Sequence, residues 1–305
     1  MDRTVVHGAS AHSRAPPLPK AWWPSMNDWS VPFVGSVLHP TDFSPASEAA
    51  FVHALALALA RQTRLTILNA SKDKDDQWMR FPQVRKTLER WGLLEEGSGR
   101  SAVGDELGVY VRKIGVDAGS PFKATMDFLE RDPTDLVVLA TEGRDGVPGF
   151  LRPSVAERVL RHSGSMTLFV PEKARGFVSR DDGTITLNKI LVPVDFQPDS
   201  SEVLIRVARA AGLLDEPSIE IVVLHVGEGD FPEIDLPSGD GYRWRKEQGQ
   251  GDVLEEILRT AEEEEVDLVA MATDGRDGLL DVFRGSWTER VVRRIACPLL
   301  AVPAV

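Results

Sequence analysis

Asp135-Leu-Val-Val-Leu-Ala-Thr-Glu-Gly-Arg-Asp-Gly146 returns as Asp267-Leu-Val-Ala-Met-Ala-Thr-Asp-Gly-Arg-Asp-Gly278, with nine of twelve positions identical. The echo continues at a constant offset: Arg152, Ser154, Glu157, Arg158, Val159 and Arg161 reappear as Arg284, Ser286, Glu289, Arg290, Val291 and Arg293. Self-similarity of this length marks an internal repeat, and a repeat fixes the organisation of the chain before any secondary structure is assigned. Upstream, Val37-Leu-His-Pro-Thr-Asp-Phe43 matches Leu191-Val-Pro-Val-Asp-Phe196 around Pro-x-Asp-Phe. Asp42 and Asp195 lie 153 residues apart, but Gly143 and Gly275 only 132, so the first copy carries 21 extra residues. They fit between Lys72 and Arg100, where Phe81, Val84, Leu88 and Trp91 recur at intervals of three and four and predict an amphipathic helix. The second copy has a Gly/Pro/Asp-rich loop there, from about Gly227 to Gly241.

Both copies alternate short apolar runs with helical patterns. The runs are Leu65 to Leu68, Leu136 to Leu139 and Met166 to Val170, then Ile190 to Val194, Ile219 to Leu224, Leu268 to Met271 and Leu299 to Val302. They are apolar on both faces, as strands sandwiched between two helix layers must be. Helical spacing occupies Ala46 to Ala60, Phe122 to Leu129, Glu202 to Ala211 and Val253 to Ala261. Pro45 and Pro198 stand where a first helical turn accepts proline. Strand–helix alternation predicts two tandem doubly wound α/β domains, each a mostly parallel five-stranded sheet flanked by helices. The expected divisions are an arm over 1–32, a first domain over 33–171, a linker over 172–188 and a second domain over 189–305.

The chain has 305 residues, about two domains' worth, and its 42% hydrophobic and 27% charged content is that of an ordinary globular protein. With 47 acidic against 35 basic residues the net charge is −12, which repels nucleic acid and anionic membranes. The single cysteine, Cys297, makes no intramolecular disulfide and fits a reducing, cytoplasmic setting, and no apolar stretch is long enough to cross a bilayer. The arm, with five prolines and Trp22, Trp23 and Trp29, has no apolar segment of the kind a secretory signal requires. Scattered histidines without metal-ligand spacing argue against zinc. No nucleophile elbow or complete Walker loop appears, so no catalytic residue is assigned.

In a doubly wound sheet, ligands bind outside the carboxyl ends of the strands where strand order reverses. Asp42 and Asp195 follow the first strand of each copy, and the repeated Gly-Arg-Asp-Gly loops follow the fourth. Those loops lead to helix starts at Ser154 and Ser286, where free amides and the positive dipole end suit an anion. These features need no ligand, however. Ser154 to Glu157 and Ser286 to Glu289 also fit capping boxes, and Asp42 and Asp195 could cap the helices that follow them.

Taken together, the sequence resembles the universal stress protein family in its tandem two-domain form, over roughly residues 34 to 171 and 189 to 304. The resemblance is carried by Val192-Pro-Val-Asp-Phe196, the repeated loop, the Gly285-Ser286…Glu289-Arg290-Val291 helix start and the terminal Cys297-Pro-Leu-Leu-Ala-Val-Pro303 strand. It implies a stress-response module that binds ATP or another adenine nucleotide through a Gly-x2-Gly-x9-Gly-Ser/Thr loop. The second copy reads Ala272-x2-Gly275-x9-Gly285-Ser286, with Ala in the first glycine position. By this resemblance Asp195 contacts the adenosine, Val226 lines the base, and Ala272, Thr273, Gly275, Arg276, Arg284, Gly285 and Ser286 surround the phosphates. The first copy reads Ala140-x2-Gly143-x9-Pro153-Ser154, and Pro153 removes an amide donor. Its counterpart site of Asp42, Ala140, Gly143, Arg144 and Ser154 is therefore the lesser one.

Glu142 and Asp274 add a carboxylate to each loop. Either Arg276 and Arg284 outweigh it, or a Mg ion bridges it to phosphate, or no triphosphate binds. The resemblance further implies pairing of the two domains through their last strands, Met166 to Val170 and Leu299 to Val302, with association into a homodimer left open. A nucleotide-free interaction scaffold and a slow ATP hydrolase are the rival functions.

Overall fold

The computed structural model describes residues 34–71, 77–141, 158–159, 162–212, 218–273 and 287–303. Three strands of the first copy follow the apolar runs, β2 (Arg64–Ala70), β4 (Leu136–Thr141) and β5 (Met166–Pro171), and β1 (Ser36–Pro40) is the first strand expected before Asp42. The second copy repeats them as β6 (Lys189–Pro193), β7 (Ile219–Val226), β9 (Leu268–Thr273) and β10 (Leu299–Pro303). A fifth strand stands at each outer edge, β3 (Tyr110–Val116) and β8 (Tyr242–Gly249). Charged residues such as Arg112, Lys113, Arg243 and Lys246 interrupt these two, which blunts an open sheet edge and also hides the strand from an apolar-run search.

The ten strands form one sheet in the order β3-β2-β1-β4-β5-β10-β9-β6-β7-β8. Every neighbour is parallel except β5 and β10, which pair antiparallel with Leu299 opposite Phe169 and Ala301 opposite Thr167. The two copies therefore meet through their last strands, and every residue of β5 is buried. This junction removes two edges that would otherwise expose unpaired backbone groups.

Helices cover both faces. On one lie α1 (Pro45–Arg61) and, in the second copy, α6 (Ser201–Ala211), packed through Ala50, Leu55, Val203 and Leu204. On the other lie α5 (Pro121–Arg131), α7 (Val253–Glu263) and α8 (Trp287–Val292), packed through Phe128, Ile257 and Val291. Pro45 sits in the first turn of α1 as its sequence predicts, capped by Ser44, whose side chain accepts from the Ser47 amide. Pro198 does not: it precedes α6 through a cis peptide bond with Gln197, and the helix begins at Ser201.

The extra residues of the first copy form three short helices, α2 (Gln77–Arg80), α3 (Val84–Arg90) and α4 (Ala102–Asp105), on the α1 face of the sheet. The expected stripe of Phe81, Val84, Leu88 and Trp91 is buried, but it spans a break at Pro82, which no continuous helix accommodates. The segment between the copies is packed rather than free. Phe177 meets the His53 ring edge-on at 4.7 Å, Val178 bridges to Ile185, and the Trp91 indole donates to the Arg180 carbonyl at 3.0 Å.

The repeated aspartate at the head of β4 and β9 has a structural task. Asp135 accepts from the Gly35 amide at 2.9 Å, and Asp267 accepts from the Asn188 and Lys189 amides at 2.8 and 3.0 Å. Each pins the start of the neighbouring first strand.

Candidate functional site

The crevices arise from a short ladder. β1 pairs with β4 only at Val37–Leu136 and Leu38–Val137, and β6 with β9 only at Ile190–Leu268 and Leu191–Val269. Beyond those pairs the strands part towards their carboxyl ends, because the order reverses there and no crossover helix holds them together. In the first copy the parting frees the Val138 carbonyl, and buried His39 bonds to it through Nδ1 at 3.0 Å. The second copy has Val192 at the corresponding position and makes no such bond.

The two aspartates behave differently. Asp42 Oδ1 accepts from the Ser44 amide at 2.9 Å and from the Ser47 hydroxyl at 2.7 Å. Burial works to raise this carboxyl, but the hydrogen bonds from Ser44 and Ser47 outweigh it and hold the group below its ordinary value. Phe43 completes the turn with φ of 65°, a left-handed conformation uncommon for a bulky residue and a sign of a constrained loop. Asp42 thus braces the start of α1.

Asp195 does not brace α6. In the second copy that part is taken by Asp199, which accepts both the Ser201 amide and the Ser201 hydroxyl, at 2.9 and 2.7 Å. The Asp195 side chain is 61% exposed, and among the described residues its Oδ1 accepts from the adjoining Phe196 amide at 2.8 Å alone. His225 Nδ1 stands 3.9 Å from that oxygen, beyond hydrogen-bond reach, and bonds to the Val194 carbonyl at 3.2 Å. That bond puts the proton on Nδ1. The Phe196 ring is exposed and meets the His225 ring edge-on at 5.6 Å.

The structure brings Asp195, Val226, Ala272 and Thr273 to the same carboxyl edge, at the ends of β6, β7 and β9. Val226 is half-buried, beside a loop that Gln248 ties down by donating to the Gly227 and Gly229 carbonyls at 2.9 and 3.1 Å. Thr273 is buried, and the Thr288 hydroxyl reaches the Ala272 carbonyl at 3.4 Å, joining the start of α8 to the end of β9. Gly275, Arg276, Arg284, Gly285 and Ser286 lie outside the described residues. In the first copy Asp42 and Ala140 are described, whereas Gly143, Arg144 and Ser154 lie outside. Sequence reasoning passed over Ser47, Asn69 and His225. Asn69 differs from its counterpart His225, and Ser47 has the same residue, Ser200, in the second copy, so comparing the copies singled out neither.

The model of the universal stress protein family matches residues 34–171 and 234–303. The chain belongs to that family. A universal stress protein of Methanocaldococcus jannaschii is 37% identical over 62 residues, 20% of this chain and 36% of its own length, so the chain spans about a third of that relative. Among solved structures, a universal stress protein from Archaeoglobus fulgidus aligns with a TM-score of 0.58 at 18% identity, covering 88% of this chain and 98% of its own. One from Pseudomonas aeruginosa aligns with a TM-score of 0.56 at 17% identity, covering 88% and 93%. At these identities the likeness establishes the shared tandem fold. Among the described residues no helix is long and apolar enough to cross a membrane, and no cluster of metal-ligating side chains occurs.

Proposed function

We propose that this universal stress protein binds an adenine nucleotide in the crevice of its second copy and works as a stress-response sensor or regulatory module. The observation that carries the reading is the contrast between the aspartates: Asp195 presents an open carboxylate at the switch point, while its counterpart Asp42 is committed to Ser44 and Ser47. An exposed acceptor facing a crevice suits the hydroxyls of a ribose or an exocyclic amine, each of which supplies donors. Val226 offers an apolar side to the base, and Gly275, Gly285 and Ser286 the phosphate donors, with Arg276 and Arg284 countering the charge of Asp274. Mg is the ion suited to bridging that carboxylate to phosphate oxygens. No group in the described crevice is placed as a general base, so hydrolysis forms no part of the proposal.

The test is to denature freshly purified protein and identify any released purine by mass spectrometry, comparing wild type with Gly285→Glu. Nucleotide in the wild type and none in the variant supports the proposal. Protein that carries none and takes up none of ATP, ADP or AMP on dialysis favours the interaction scaffold instead.

A further inference from the structure

A cavity of about 460 Å³ lies between the amino-terminal half of α1 and the helices inserted in the first copy. It touches the Thr41–Ser44 turn but excludes Asp42, and it opens on the α1 face of the sheet, away from the face that carries α5 and α8. The helix periods explain how it is built. On α3, Val84, Leu88 and Trp91 face the core, which leaves Gln83, Lys86, Thr87 and Arg90 on the adjoining stripe, lining the cavity. On α1, Ser44, Ser47, Glu48, Phe51 and Val52 share the facing stripe.

The charge is the informative part. Arg80, Lys86 and Arg90 line the cavity against a single carboxylate, Glu48, in a chain whose net charge is −12. Among the described residues Lys86 and Arg90 meet no carboxylate, and Arg80 rests over the Phe43 ring at 4.9 Å. The neighbouring charges on α3 are turned elsewhere, Glu89 to the Gly97 amide at 3.2 Å and Arg85 to the Ser98 carbonyl at 3.0 Å. Like charges gathered round a concavity with apolar walls focus a positive potential into it. Beneath them Phe51 and Val52 form an apolar floor, both buried. The same connection in the second copy, residues 227–241, packs Phe231, Ile234 and Leu236 on the core and contains acids but no Lys or Arg. The feature belongs to the insertion and not to the repeat.

We propose that this cavity is a second ligand site, distinct from the nucleotide crevice, for a small phosphorylated molecule with an apolar or aromatic body. Its volume falls in the range of small-molecule pockets. Arg and Lys together suit a phosphate, Arg by paired N–H donors and Lys as a point charge. Phe43, Phe51, Val52 and Pro82 offer contact area to the body.

Phenyl phosphate joins both chemistries and serves as the probe, with inorganic phosphate and phenol as its separate halves. Calorimetry on the full chain is expected to give tighter binding of phenyl phosphate than of either half. Affinity falls at least tenfold in Lys86→Glu/Arg90→Glu and by less in Lys86→Gln/Arg90→Gln. Both replaced side chains, Lys86 and Arg90, are exposed, so circular dichroism and the thermal midpoint should match wild type. Gly285→Glu, which blocks the phosphate end of the nucleotide crevice, should leave this binding unchanged. Undetectable binding at millimolar probe, binding insensitive to charge reversal, or binding lost in Gly285→Glu overturns the proposal.

Discussion

Asp42 accepts the Ser47 hydroxyl at 2.7 Å, a bond that sets the first copy apart from the second. Where the second copy has Ser200 and caps α6 through Asp199, the first uses its switch-point aspartate to hold α1. Replacing Asp42 by Ala should therefore cost stability, about 1–2 kcal/mol for the loss of its hydrogen bonds from Ser44 and Ser47. Asp195→Ala should stay within about 0.5 kcal/mol of wild type, as expected at an exposed position. Urea unfolding of the two variants checks this, and equal losses would contradict it.

Acid should weaken the fold earlier than carboxylates alone would dictate. His39 and His53 are buried, their Nδ1 atoms bond to the Val138 and Ala49 carbonyls, and their Nε2 atoms have no hydrogen-bond partner among the described residues. Burial is the main cause that pushes both rings down to about 4, from an ordinary 6.5. Because the folded value is depressed, the stabilisation is present above about pH 6.5 and is lost as pH falls through that value towards 4, on the order of 3 kcal/mol per ring. Stability measured by urea between about pH 7 and pH 4.5 should fall steadily, and His53→Leu should flatten the slope. A flat profile would contradict the assignment.

Cys297 should be inert in the native protein. It is buried beneath α8, and burial pushes its thiol up to about 12, leaving little thiolate near neutrality. A chromogenic disulfide reagent should label it only after unfolding. Rapid stoichiometric labelling of native protein would show that the last strand opens freely.

Asp267 should matter more than its ion pair suggests. It is buried, accepts two backbone amides, and meets Arg175 Nη2 at 2.7 Å. Asp267→Ala strands those amides and should cost about 3 kcal/mol. Arg175→Ala, at a side chain 67% exposed, should cost less than about 1 kcal/mol. Unfolding curves for both variants test the ordering.

Much of this architecture was legible because the chain states it twice. The apolar runs place seven strands, since a strand buried on both faces leaves an uninterrupted run, and the Pro-x-Asp-Phe match adds the first strand before Asp42. Tyr110–Val116 and Tyr242–Gly249 escaped notice because an outer edge calls for charge as well as apolar residues. The pairing of β5 with β10 followed from the family resemblance, which no local pattern could supply. The differing use of Asp42 and Asp195 could not be read from Pro-x-Asp-Phe, since it depends on which later side chain, Ser47 or Asp199, reaches the helix start. The cavity beside α3 was half visible: Phe81, Val84, Leu88 and Trp91 show which stripe is buried, but not what the adjoining stripe faces.

Calorimetric titration of ATP into the full chain, repeated with Asp195→Ala and with Asp42→Ala, tests the central claim most directly. The expected result is one site per chain, weakened at least tenfold by Asp195→Ala and little changed by Asp42→Ala. Two equal sites, loss of binding through Asp42→Ala alone, or no binding at millimolar nucleotide would contradict it.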